Sequence, residues 1–155
     1  MGVYSEIKPY YTSIKEIKQL NPKGIILSGG PSSVYAKNAP LPAEEIFSLG
    51  APILGICYGL QVLAHLLNGK VDKAQKHEYG RAALKIDDAS DLFFNLKAEL
   101  DVWMSHGDHL IEIPEGFHGI AHTDNAPIAA VKNEQKSFYG IQFHPEVVHT
   151  PKGKE

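Results

Sequence analysis

The chain has 155 residues, 43% apolar and 21% charged, with a formal net charge of -3. That suffices for one globular domain with its own core and supplies none of the basic field on which nucleic-acid binding draws. Its single cysteine excludes an internal disulfide, and no apolar run approaches the roughly 20 residues of a membrane span or the layout of a secretory leader, so the cytoplasm is the expected compartment.

In chain order, residues 3–7 are short and partly alternating and read as a strand. Ile14, Ile17 and Leu20 then fall at three-residue steps and predict a helix over 13–20, with Ser13 as its cap and Glu16 at the capping-box position. The break Asn21-Pro22-Lys23-Gly24 leads into an apolar strand over 24–28 that runs directly into Gly29-Gly30-Pro31. A short helix is expected over 44–49, a buried strand over 52–56, and a helix whose apolar face carries Leu60, Leu63, Ala64 and Leu67 before Asn68-Gly69 closes it. Strands alternating with helices predict an α/β domain with a largely parallel sheet, whose ligands bind at the carboxyl ends of the strands. The second half reads as strands at 81–86, 101–105, 119–122, 128–131 and 138–143, separated by turn signals that suit hairpins better than further crossovers.

Gly55-Ile56-Cys57-Tyr58-Gly59 has the G-x-nucleophile-x-G spacing of an elbow between a strand and a helix. At a helix amino end, unpaired N–H groups and the dipole favour thiolate, which predicts a Cys57 pKa below the free value. A buried structural cysteine fits the same five residues, since cysteine packs well in cores. A thiol nucleophile needs a base and the base needs an orienting group. Of the eight histidines, His144 stands at the end of an apolar strand with Glu146 two residues on, on the same side of an extended segment. Gly29-Gly30-Pro31 could turn a backbone N–H inward to join that of Tyr58 as an oxyanion hole. A phosphate loop is set aside, because neither glycine stretch completes G-x-x-x-x-G-K-[ST]. Residues 104–109, Met-Ser-His-Gly-Asp-His, lack partners at zinc-ligand spacing; a pocket-shaping loop is expected there, with no metal. His118 and His122 read as surface groups, and Trp103 and Phe143 as core aromatics.

Taken jointly, Ser28-Gly29-Gly30-Pro31, Gly55-Ile-Cys57-Tyr-Gly59-Leu-Gln61 and Gln142-Phe-His144-Pro-Glu146 resemble the class I, triad-type glutamine amidotransferases. Tyr58 and Trp103-Met-Ser-His-Gly-Asp108 make the resemblance strongest to the glutaminase portion of GMP synthetases. The resemblance implies a three-layer, mostly parallel, doubly wound, flavodoxin-like sheet in a single amidotransferase domain over 1–155, lacking the family's first strand and closing helix and carrying no ATP-pyrophosphatase domain. It implies release of ammonia from L-glutamine for amination of XMP, with Cys57 as nucleophile, His144 as base and Glu146 as orienting carboxylate. Gly30 and Tyr58 match the oxyanion donors, and Gly29, Gln61, Ser105, His106 and Gly107 match substrate-holding positions. No cofactor is implied in this domain; ATP and Mg would belong to the synthetase partner, fused or separate. Two rival readings use the same residues: a stand-alone cysteine hydrolase of γ-glutamyl conjugates, and a non-catalytic interaction module.

Overall fold

The computed structural model describes residues 2–155, and for residues 74–77 the backbone alone. In chain order the elements are α1 (Ile14–Leu20), β1 (Ile25–Leu27), β2 (Ile53–Ile56), α2 (Tyr58–Leu66), β3 (Lys70–Ile86), β4 (Glu99–Glu112), β5 (His118–His122), β6 (Ala130–Asn133) and β7 (Phe138–Ile141), with 3₁₀ turns at Glu44–Ser48 and Asp91–Phe93. The strands form one seven-stranded sheet in the order β1-β2-β7-β6-β5-β3-β4. β1, β2 and β7 pair in parallel, with Ile25 opposite Ile53 and Ile53 opposite Phe138. The other four pairings are antiparallel, which is where the turn signals of the second half predicted hairpins. The expected α/β fold is present, and its parallel character is confined to the three strands that carry the elbow.

Burial explains which segments became strands. α2 is buried from Tyr58 to Ala64 and packs Leu60, Val62 and Ala64 with Val71, Leu110 and Val131 on one side of the sheet. A second cluster, with Ile56, Leu84, Val102, Met104, Ile120, Ile141 and Phe143, fills the space enclosed by the antiparallel strands. Strands covered on both faces carry unbroken apolar runs, and β2, Ile-Leu-Gly-Ile, is of that kind.

Three expectations change. The strand read at 3–7 does not form: Val3, Tyr4 and Ile7 are exposed, and a strand exists only through a ladder partner, which no described strand offers this segment. The helix read at 44–49 is one 3₁₀ turn with no side-chain cap. The loop expected at 104–109 is instead the middle of β4, paired with β3 from Gly80 opposite Met104 to Asp72 opposite His109, and the ribbon is pinned beyond it by Lys70–Glu112 at 2.6 Å. Alternation of apolar and polar residues is weak in both halves of that ribbon, so periodicity could not reveal it. α1 forms as read, with the Glu16 N–H donating to Ser13 Oγ at 3.3 Å and Asn21 closing it in the left-handed region, yet it buries no residue.

Candidate active site

The elbow is built by crowding. Cys57 itself takes the strained conformation, φ 51° and ψ -107°, between the end of β2 and the start of α2. Gly55 and Gly59 are not in the left-handed region; they are needed because the turn brings backbone onto backbone. A Cβ on Gly55 would lie 2.6 Å from the Gly59 carbonyl oxygen, and one on Gly59 would lie 1.9 Å from that of Leu27. A non-glycine residue at positive φ persists only where its surroundings over-determine it, and such positions concentrate at functional sites. The Cys57 N–H donates to the Ile141 carbonyl at 2.7 Å, which ties the elbow to β7, the strand that delivers His144.

His144 Nδ1 lies 2.7 Å from Glu146 Oε1. The His144 side chain is 16% exposed and that of Glu146 54%, so the pair sits at the mouth rather than in the core. Cys57 and His144 meet across Gly29, where a Cβ would stand 3.7 Å from Cys57 Cβ and 2.9 Å from His144 Cε1. The Cys57 thiol donates to the Ser105 carbonyl at 3.6 Å rather than to His144. Catalytic hydrogen bonds are often completed only when substrate arrives. Burial pushes the thiol up, the Tyr58 N–H draws it down, the charge of Glu146 adds to the rise, and the Gln142 amide opposes it. The thiol expected to be lowered by its helix end is therefore raised, because α2 places it in a dry wall where loss of hydration outweighs the donors.

A cavity of about 530 Å³ opens on these groups, lined by Gly30, Cys57, Gln61, Ser105, His106, Gly107, Asp108 and His144, with Tyr79 and residues 31–33 at its edges. Gly29 and Tyr58 support that lining from behind, and Glu146 reaches it through His144. Its far wall is β4. Gln61 is buried, and its amide donates to the Asp108 carbonyl at 2.9 Å, so α2 braces this wall. The His106 ring is engaged at both nitrogens: Nδ1 is 3.1 Å from the Asp108 carbonyl and Nε2 3.3 Å from Glu78 Oε2, while Thr123 Oγ1 donates to the same carboxyl group at 3.1 Å. Burial lowers the His106 pKa and the Glu78 charge opposes that. Residues 105–107 thus line the cavity, with the imidazole of His106 acting as a brace.

The family model described as glutamine amidotransferase class-I matches residues 1–155. The chain belongs to the class-I glutamine amidotransferases. This amidotransferase is 56% identical over 153 residues, 99% of its length, to a protein of Clostridium perfringens named GMP synthase [glutamine-hydrolyzing], and 56% identical over 155 residues to the protein of that name from Aquifex aeolicus. It spans 30% of the length of each of these two relatives. Among solved structures, a Thermoplasma acidophilum protein described as a GMP synthase subunit superposes with a TM-score of 0.75 at 27% identity, covering 91% of this chain and 72% of that one. A Thermotoga maritima glutamine amidotransferase at 24% identity and a TM-score of 0.70 shares the fold.

The amidotransferase also uses residues that the sequence reading passed over. Thr150 Oγ1 accepts from the Trp103 N–H at 3.0 Å and donates to the His144 carbonyl at 2.6 Å, while the His144 N–H donates to the Trp103 carbonyl at 2.9 Å. The histidine is thereby clamped to β4. Gly153 completes the clamp, since a Cβ there would fall 1.9 Å from the Pro145 carbonyl oxygen. The tie of Thr150 to β4 is visible in the fold alone. Trp103, read as core, is only partly buried and stacks on His149 at 4.5 Å between centroids, whereas Phe143 is buried as expected. His122 pairs with Asp87 at 2.8 Å on the surface. Asp88, His118 and Glu134 cluster closely enough for a cation, but Lys132 Nζ already stands 2.8 Å from both carboxylates.

Proposed function

We propose that this domain is the glutaminase part of a GMP synthetase, hydrolysing the side-chain amide of L-glutamine through a Cys57 thioester and supplying ammonia to a synthetase domain or subunit that aminates XMP. The observation that carries the reading is the juxtaposition of a positive-φ cysteine elbow, a His144–Glu146 pair at 2.7 Å and one cavity lined by both Cys57 and His144. The high identity to proteins named as glutamine-hydrolysing GMP synthases supports the choice of acceptor. ATP and Mg²⁺ chemistry belongs in this reading to the partner, and the domain needs no cofactor of its own.

The steps follow from acyl-transfer chemistry. The Cys57 sulfur attacks the amide carbon after His144 takes its proton, and the N–H groups of Gly30 and Tyr58 hold the oxyanion. His144 returns the proton to the departing nitrogen, releasing ammonia and leaving a γ-glutamyl thioester. A water activated by the same imidazole cleaves the thioester to glutamate and restores the thiol. Glu146 fixes the tautomer of His144 throughout. Backbone at 105–107 and the Gln61 brace position the α-amino and carboxylate ends of glutamine.

Mass spectrometry after exposure to an electrophilic glutamine analogue tests the reading. Labelling confined to Cys57, suppressed by free glutamine and weakened in H144A, is expected. Absence of selective labelling in folded protein would overturn it in favour of an interaction module, and turnover of γ-glutamyl conjugates in preference to glutamine would favour the stand-alone hydrolase.

A further inference from the structure

Gln142 is the residue whose placement the mechanism above leaves unused. Its side chain is fully buried, at 0% exposure, directly behind the nucleophile. The backbone N–H is held by the Ala129 carbonyl at 2.8 Å, and the amide Nε2 lies 3.7 Å from Cys57 Sγ. Its Oε1, equally buried, finds no hydrogen-bond partner among the described residues. A buried carbonyl left unpaired in a native core calls for a reason, and a catalytic role is a recognised one.

The geometry points to Gln142 as a further catalytic residue, whose side-chain N–H donates to the Cys57 sulfur and stabilises the thiolate once His144 has taken its proton. This rests on Cys57 being the nucleophile. As a thiol the sulfur donates to the Ser105 carbonyl and accepts from the Gln142 amide, with the Tyr58 N–H also directed at it. Ionisation removes the hydrogen that the sulfur gives Ser105, whereas the Gln142 bond becomes charge-assisted and stronger. With the amide reversed, its carbonyl and that of Ser105 would compete for one S–H and neither would serve the anion. The other groups around the sulfur are the Tyr58 N–H of α2, His144 and Glu146 after β7, and His106 and Asp108 in the wall of β4. Among these groups, Gln142 alone couples a side-chain donation to the sulfur with a buried, unpaired oxygen, an arrangement that costs stability.

That pairing separates a catalytic role from a structural one. The rate of Cys57 alkylation by iodoacetamide is measured against pH in the wild type, Q142M and Q142E, with thermal melting alongside. Methionine keeps the volume and removes both the donor and the orphan oxygen. Q142M is expected to melt at or above the wild-type temperature while its alkylation profile moves to higher pH, lowering the neutral-pH rate roughly tenfold, the equivalent of one pKa unit. Q142E, which places negative charge beside the sulfur, is expected to move the profile further in the same direction. An unchanged profile in folded Q142M would overturn the proposal. So would a lowered melting temperature with the profile unmoved in Q142N, the variant to use if Q142M fails to fold. A wild-type thiol that shows no pH-dependent alkylation would overturn the nucleophile assignment itself and this proposal with it, an outcome distinct from a normal wild-type profile that Q142M leaves in place.

Discussion

Two histidine–carboxylate pairs flank the cavity, and the fold puts them to opposite uses. His144 and Glu146 meet at 2.7 Å with side chains 16% and 54% exposed. His106 and Glu78 meet at 3.3 Å with side chains 2% and 9% exposed. The first ring points one nitrogen at its carboxylate and stays at the cavity mouth, free to exchange a proton with a ligand. The second has both nitrogens engaged, by the Asp108 carbonyl and by Glu78, and its carboxylate is engaged again by Thr123. The same two residue types thus stand at an accessible cavity mouth or lock into a buried brace, according to exposure and to whether a ring nitrogen is left over.

Substitutions can break this contrast, beginning with the nucleophile on which the first pair acts. C57S is expected to abolish thioester formation, a loss of at least about a thousandfold in glutamine hydrolysis, with folding kept; intact mass and a glutamate-release assay check it. E146Q is expected to lower kcat on the order of 10²-fold or more by releasing His144 from its tautomer, with melting nearly unchanged because the carboxylate is half exposed. E78A should do the reverse: about 1 to 3 kcal/mol of stability lost in urea unfolding, from an unpaired His106 nitrogen and Thr123 hydroxyl, with a smaller effect on kcat. Equal activity losses in E146Q and E78A would end the distinction.

G59A tests the elbow beneath both pairs. With a Cβ required 1.9 Å from the Leu27 carbonyl oxygen, strand and helix must separate, and a loss of about 3 kcal/mol is expected by denaturant unfolding. The smallest effect is in alkaline solution. Because burial raises the Cys57 pKa in the folded state, the unfolded chain gives up its thiol proton first, so stability is full below the unfolded value of about 8.5 and falls as pH rises above it. Unfolding followed from pH 7 upward should show that loss in the wild type, and C57A should flatten it.

The candidate site was legible wherever its signals are local. Cys57 between two glycines, and His144 two residues from Glu146, are consecutive residues whose geometry follows from a strand end, and the chain places both on the rim expected for an α/β sheet. The β3–β4 ribbon was half missed, because residues 70–73 and 108–112 are held by cross-strand pairing and carry too little alternation to announce themselves. The sign of the Cys57 shift was misjudged for a related reason: a helix amino end can be read locally, but dehydration depends on what the rest of the chain stacks around it.

By itself, then, the sequence determined the α/β alternation, the elbow and the pairing of His144 with Glu146, since each depends on spacing within a few residues. Only the tertiary structure decided that Gln142 lies against the sulfur, that Thr150 clamps His144 to Trp103, and that His106 braces a wall while His144 faces the cavity. Those outcomes are set by which distant backbones come together and which side chains lose water when they do, and neither is encoded at any single spacing along the chain.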